Sequence, residues 1–220
     1  PNAPTTQGRL KITDTNDATV FDTSDATFSI RGSFVLTAPN GGDEWVVGST
    51  RQITWATNGT IVNVKLEYSK DNFLTATAIT LSTTNAGFYN WVVPNDISAT
   101  VKVRVSDAND PDVNDASDAT FKIKGGFALT APNGGEVWTV GTTQTIAWTN
   151  TGTVPNVKLE YSTDGGATFP NVIAASLSNT GSFGWTIPNS ISSAVKVRVS
   201  DAADASASDV SDANFKIRGA

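Results

Sequence analysis

The 220-residue chain has no cysteine, no histidine and no methionine. Without histidine or cysteine, neither a Ser–His–Asp nor a Cys–His nucleophile arrangement can be assembled, and His/Cys zinc sites are excluded as well. The absence of cysteine also removes disulfide staples, while saying nothing about compartment. Charge is sparse. Charged residues make up 16% of the chain and the net charge is −6, the opposite of the basic footprint that nucleic acid demands. No apolar run is long enough to span a membrane. Pro1 to Gln7 lack the basic and apolar regions of a signal peptide, so an exported form would carry its leader outside this chain. Glu, Lys and Leu are few, and no segment sustains a 3.6-residue period. With 39% apolar residues, a chain of this length is expected to bury two modest cores rather than one large one.

What is present is a repeat. Phe34-Val-Leu-Thr-Ala-Pro-Asn-Gly-Gly-Asp-Glu-Trp45 returns as Phe127-Ala-Leu-Thr-Ala-Pro-Asn-Gly-Gly-Glu-Val-Trp138, 93 positions later. Ile53-Thr-Trp55 matches Ile146-Ala-Trp148, and Asn63 to Ser69 matches Asn156 to Ser162. After a one-residue gap, Gly87 to Trp91 matches Gly181 to Trp185, Val101 to Asp107 matches Val195 to Asp201, and Phe121 to Gly125 matches Phe215 to Gly219. Such periodicity identifies a tandem array before any site is considered. Residues 33–125 form repeat 1 and residues 126–220 repeat 2. Residues 1–32 hold a leader and the closing hairpin of a third, incomplete copy, in which Leu10 matches Val103, Asp14 matches Asp107 and Phe28 matches Phe121. Its first five strands are missing.

Alternation in the closing strands is clean. Val101, Val103 and Val105 face one way while Lys102 and Arg104 face the other, and Phe121 and Ile123 alternate with Lys122 and Lys124. A period of two with one apolar face describes a half-buried antiparallel strand. About seven such strands per copy, divided by Pro, Gly, Asn and Asp turns, predict an all-β fold of tandem immunoglobulin-like antiparallel β-sandwiches. The joints at Ile30 to Phe34 and Ile123 to Phe127 are short, so neighbouring copies are expected to keep a fixed angle, as in a semi-rigid rod.

The order Pro-x-Gly-Gly-x-x-Trp-x-x-Gly, Ile-x-Trp, Val-Lys-Leu-Glu-Tyr, Asn-x-Gly-x-x-x-Trp-x-x-Pro, Val-Arg-Val and Phe-Lys-Ile resembles the immunoglobulin-like domain of the Ser/Thr-rich GPI-anchored cell-wall family. That domain occurs in fungal β-glucan-assembly proteins and, as tandem repeats, in secreted bacterial surface proteins. Trp45, Gly48, Ile53, Trp55, Gly87, Trp91 and Pro94 carry the likeness, with Trp138, Gly141, Ile146, Trp148, Gly181, Trp185 and Pro188. The chain lacks a Ser/Thr stalk, so the bacterial tandem form is nearer. The resemblance implies a cell-surface or extracellular module with no catalytic residues to carry over.

Candidate sites are few. Glu67 and Glu160, at equivalent positions, could supply glycosidase carboxylates. A role in every copy of a structural repeat speaks instead for outward ion pairs with Lys102 and Arg104, or Lys196 and Arg198. The chain is expected not to be an enzyme. Six Trp could stack on sugar rings, but each belongs to a repeat-equivalent pair beside apolar neighbours, which predicts core. Phe73, Phe88, Tyr89 and Phe169, read as loop residues, are the better ligand candidates. Asn58-Gly-Thr60 is a lone glycosylation sequon.

Of 21 acidic residues, 13 fall in the three closing hairpins. Asp14, Asn16, Asp17, Asp22 and Asp25 form one cluster; Asp107, Asn109, Asp110, Asp112, Asp115 and Asp118 a second; Asp201, Asp204, Asp209 and Asp212 a third. Crowded oxygen ligands of this kind suit calcium, though Asp and Asn also end strands and bend chains by bonding their own backbone. The third hairpin has Ala203 for Asn109 and Ser206 for Asp112, so its site is expected to be the weakest. Leu10, Ile12, Phe28 and Ile30 give the incomplete copy an apolar face with nothing of its own to cover, an expected interface for head-to-tail assembly with copies of the chain. The function that fits is a structural module of an extracellular stalk, sheath or filament. A module binding cell-wall or matrix polysaccharide, or an adhesin, is the alternative.

Overall fold

The computed structural model describes residues 4–220. It is built from strands alone. Two compact units divide it: one takes in the residues to Glu44, Thr50–Trp91 and Ser98–Lys122, the other Trp45–Ser49, Val92–Ile97 and Ile123–Ala220.

The N-terminal hairpin comprises β1 (Thr5–Gly8), β2 (Lys11–Thr13), β3 (Phe21–Thr23) and β4 (Phe28–Ile30). Repeat 1 comprises β5 (Ser33–Ala38), β6 (Glu44–Val46), β7 (Thr50–Asn58), β8 (Asn63–Ser69), β9 (Thr77–Thr84), β10 (Phe88–Val92), β11 (Ser98–Asp107), β12 (Asn114–Ala116) and β13 (Phe121–Lys124). Repeat 2 follows with β14 (Gly126–Ala131), β15 (Val137–Thr139), β16 (Thr143–Thr151), β17 (Asn156–Ser162), β18 (Asn171–Ser178), β19 (Ser182–Thr186), β20 (Ser192–Asp201), β21 (Ser208–Val210) and β22 (Phe215–Arg218). Each repeat therefore has nine strands rather than about seven. The additional ones are β9 and β12, or β18 and β21: β9 and β18 lack a regular alternation of buried and exposed positions, and β12 and β21, of three residues each, are too short to show one. Six strands, not five, precede each closing hairpin.

Both repeats are two-layered sandwiches with the same topology. A three-stranded sheet, β10-β7-β5 or β14-β16-β19, faces a larger sheet ordered β6-β13-β11-β8-β9 or β15-β22-β20-β17-β18, to which β12 or β21 adds beside β11 or β20. β15 joins β22 in parallel, Val137 opposite Lys216; β8 with β11, β14 with β16, β16 with β19, β17 with β20, and β20 with β21 and β22 are antiparallel.

The core follows the alternation. Val101, Val103, Val105, Phe121 and Ile123 are buried, as are Val195, Val197, Val199, Phe215 and Ile217. All six Trp rings are buried as well. In repeat 2, Trp138 lies 4.9 Å from Phe215 and Tyr161 5.0 Å from Trp185, ring centre to ring centre. Trp55 and Trp148 each place the indole N–H on a carbonyl oxygen, that of Asn85 and Asn179, at 2.8 Å. A large ring can be buried there because its one polar group has a partner.

The Pro-Asn-Gly-Gly turn meets the closing hairpin at close range. Gly41 and Gly134 both have φ of 128°, and a Cβ on either would fall 2.7 Å or 2.5 Å from the Cβ of Ala119 or Ala213. Only glycine fits such a backbone at such a distance.

Candidate functional site

The closing hairpins hold the acidic clusters, and the structure shows what each carboxylate touches. Asp14, Asp107 and Asp201 accept the backbone N–H two residues on, from Asn16, Asn109 and Ala203, each at 2.8 Å. Asp17, Asp110 and Asp204 do the same for Thr19, Asp112 and Ser206 at 2.9, 3.3 and 3.1 Å. These are side-chain turns that cap a bend. The partner is a main-chain N–H, so Ala203 serves as well as Asn109 and Ser206 as well as Asp112. At Asp17 the Thr19 hydroxyl, followed by the Thr19 N–H, holds the carboxyl below its usual range. Arg31 adds ion pairs to Asp110 and Asp112 at 3.3 and 3.2 Å.

The remaining aspartates tie the hairpin to the first strand and its turn. Asp115 accepts the Leu36 N–H at 2.7 Å and Asp209 the Leu129 N–H at 2.6 Å. Asp118 and Asp212 each exchange two hydrogen bonds with the turn asparagine, Asn40 or Asn133. Between them, Ser117 and Ser211 accept the N–H of Val103 or Val197 and donate to the carbonyl of Pro39 or Pro132. Among the described residues, no three acidic side chains gather closely enough to hold a metal ion. In repeats 1 and 2 the expected calcium ligands are distributed along the hairpin and engaged with backbone N–H groups and the turn asparagines.

The N-terminal hairpin repeats the internal half of this pattern. Thr5 opposes Ile30 and Gly8 opposes Phe28, the register of Ser192 with Ile217 and Val195 with Phe215. Lys11, Ile12 and Thr13 oppose Thr23, Asp22 and Phe21, as Arg104, Val105 and Ser106 oppose Ala116, Asp115 and Asn114. Leu10 N–H donates to Ser24 Oγ at 3.2 Å, and Ser24 N–H returns to the Leu10 carbonyl at 2.9 Å. The outward half is missing. Asp22 and Asp25, at the places of Asp115 and Asp118, are exposed and find no bonding partner among the described residues. Of the expected interface residues, Leu10, Ile12 and Phe28 are 62, 70 and 47% exposed. Ile30 is half-buried instead, in a recess shared with Arg31, Asp107, Asp110 and Val113.

Two expectations about polar and aromatic residues change. Glu67 and Glu160 make the expected ion pairs with Arg104 and Arg198 on the side of the strand opposite Leu66 and Leu159, but both are buried, each between two cations. Glu67 pairs with Lys65 at 2.6 Å and Arg104 at 2.9 Å, and Glu160 with Lys158 and Arg198, both at 2.6 Å. Burial pushes these carboxyls up, but the hydrogen bonds and charges of the two cations outweigh it and hold both below the usual range. Lys102 and Lys196 turn instead to the carbonyls of Asp118 and Asp212. Phe88 and Tyr89 lie on β10 rather than in a loop. Phe73 and Phe169 are covered on one face by Arg104 and Arg198, each 4.4 Å from the ring centre.

A polar knot absent from the sequence expectations follows β8 and β17. Asp71 accepts from the Ser69 hydroxyl and from both the N–H and hydroxyl of Thr75; Asp164 does so from Ser162 and Thr168. Led by the Thr75 hydroxyl, these donors bring Asp71 down to about 2. Asp164 is held lower still, chiefly by the Ser162 hydroxyl. The Ser-x-Asp-x-x-x-Thr spacing common to both repeats was the available signal.

No family model and no curated protein matches the chain. Solved structures do. They include the fibronectin(III)-like modules of Clostridium thermocellum CbhA (17% identity, 84% of this chain and 94% of that one, TM-score 0.29). The N-terminal four Ig domains of a Dscam1 isoform match at 10% identity over 91% of this chain and 52% of that one, TM-score 0.37. A chimeric titin tandem matches at 16% identity over 86% and 100%, TM-score 0.27.

Proposed function

We propose that the chain is a non-catalytic repeat module of an extracellular stalk, sheath or filament, related in kind to the tandem cell-wall repeats it resembles. The observation that carries this reading is the use of the same polar residues for the same structural bond in every full copy. Asp115 and Asp209, Ser117 and Ser211, and Glu67 and Glu160 all hold strands together. Chemistry specific to one copy would break that equivalence; support of a repeated body explains it. Every Trp is buried, so no indole ring offers a platform for sugar stacking. The aspartates act as turn and strand connectors in this reading, and the N-terminal hairpin is the element that joins the module head-to-tail to further material.

The test combines a glycan-binding screen of the purified chain with electron microscopy of the same material. Discrete rods without glycan retention support the structural role. Saturable binding of one polysaccharide, abolished by substituting exposed Phe88, would transfer the function to carbohydrate recognition.

A further inference from the structure

We propose that residues 8–32 are a preformed docking element whose occupant is an open repeat body: a polypeptide segment carrying strands equivalent to β5–β10 without a closing hairpin of its own. This rests on the repeat-module reading above and specifies what that module joins.

The two full repeats show what covers such a hairpin. Val103, Val105, Val113 and Phe121 are buried in repeat 1; Leu10, Ile12, Val20 and Phe28 occupy the same positions and are 47–70% exposed. The polar groups match just as closely. Asp115 takes the N–H of Leu36 in β5, Ser117 donates to Pro39, and Asp118 brackets Asn40. Asp22, Ser24 and Asp25 stand in register for those three bonds. Ala26 replaces Ala119, against which Gly41 packs at a distance no side chain would permit. The hairpin therefore asks for a strand of alternating apolar residues that runs into Ala-Pro-Asn-Gly-Gly. It also asks for an apolar layer behind that strand, supplied in repeat 1 by Ile53, Trp55, Val64 and Leu66.

A second copy of this chain does not offer that body. Both of its repeats are already closed, with the Leu36 and Leu129 N–H groups bonded to Asp115 and Asp209. Two-stranded hairpins are marginal in water by themselves, so an added body would both stabilise this one and complete its edge.

The test places an additional copy of residues 33–93 directly before Pro1 of the full chain. Pro1-Asn2 matches Pro94-Asn95, so the new joint reproduces the natural Val93–Pro94 step. Docking slows amide exchange at Leu10 and Ser24 by about a hundredfold or more relative to the unextended chain. Asp22→Ala in the extended chain reverses part of that gain and changes nothing in the unextended one. Unchanged exchange overturns the proposal, whether the added segment is unfolded or has folded apart. Slowing of Leu10 with rising concentration of the unextended chain assigns the face to a second copy and also overturns it. Glycan binding by the chain would overturn the stalk reading while leaving these exchange rates as they are, so the two failures are distinct.

Discussion

Phe28 and Phe121 occupy the same position of the same hairpin, bonded across in the same register, yet one is 47% exposed and the other 1%. The comparison separates two contributions that usually arrive together. Local sequence is enough to set the hairpin: the Asp turns, the serine bridge from Leu10 to Ser24 and the cross-strand pairing all form without a sandwich over them. Continuity is not. The ten-residue β11 of repeat 1 becomes two short strands, β1 and β2, in two separate two-stranded sheets. A neighbouring sheet supplies the apolar burial that keeps a long strand extended.

The widest gap between the two hairpins is expected in the core. Phe121→Ala should destabilise repeat 1 by on the order of 3–5 kcal/mol, the usual cost of emptying a buried aromatic site. Phe28→Ala should leave the urea midpoint of the chain within error, because little area is lost. Equal effects would mean that residues 8–32 are covered in solution.

A smaller difference is expected at the strand connector. Asp115→Ala strands the Leu36 N–H in a partly buried setting and should cost about 1–3 kcal/mol, whereas Asp22→Ala should stay within about 0.5 kcal/mol. A double-mutant cycle with Asp118→Ala tests whether the two connectors act together.

Acid sharpens the contrast between loop and hairpin. Asp71 is lowered to about 2 and Asp164 further, so both favour the folded state. Their contribution is fully present above the unfolded value near 3.8 and is lost as pH falls through the folded values. The Thr75 and Thr168 amides should stay protected at pH 4 and open towards pH 2, Thr75 first. Opening at pH 4 would show that the donors do not hold these carboxylates.

The smallest effect concerns calcium. Since the aspartates in the closing hairpins of repeats 1 and 2 bond backbone and asparagine groups rather than converge, melting curves in EDTA and in millimolar calcium should coincide. A rise in melting temperature with calcium, following mass action, would show that the clusters rearrange around an ion.

Much of this protein was legible from residue order alone. Alternation marks Val101, Val103, Val105, Phe121 and Ile123 as one buried face because side-chain direction in a strand has a period of two. Repeat equivalence marks the Trp residues as core. It also aligns the N-terminal hairpin with β11–β13, since the same local bonds recur wherever the same short sequence does. Three matters were decided only by tertiary structure. Whether an aspartate faces a cation, a turn or a strand N–H depends on where β5 and its Pro-Asn-Gly-Gly turn lie, some 80 residues away in sequence. Glu67 alternates like an outward residue, yet it is buried because Lys65 and Arg104 close over it from its own and the adjoining strand. The exposure of Leu10, Ile12 and Phe28 is a property of what is not packed against them, and periodicity reports only which side of a strand a residue occupies.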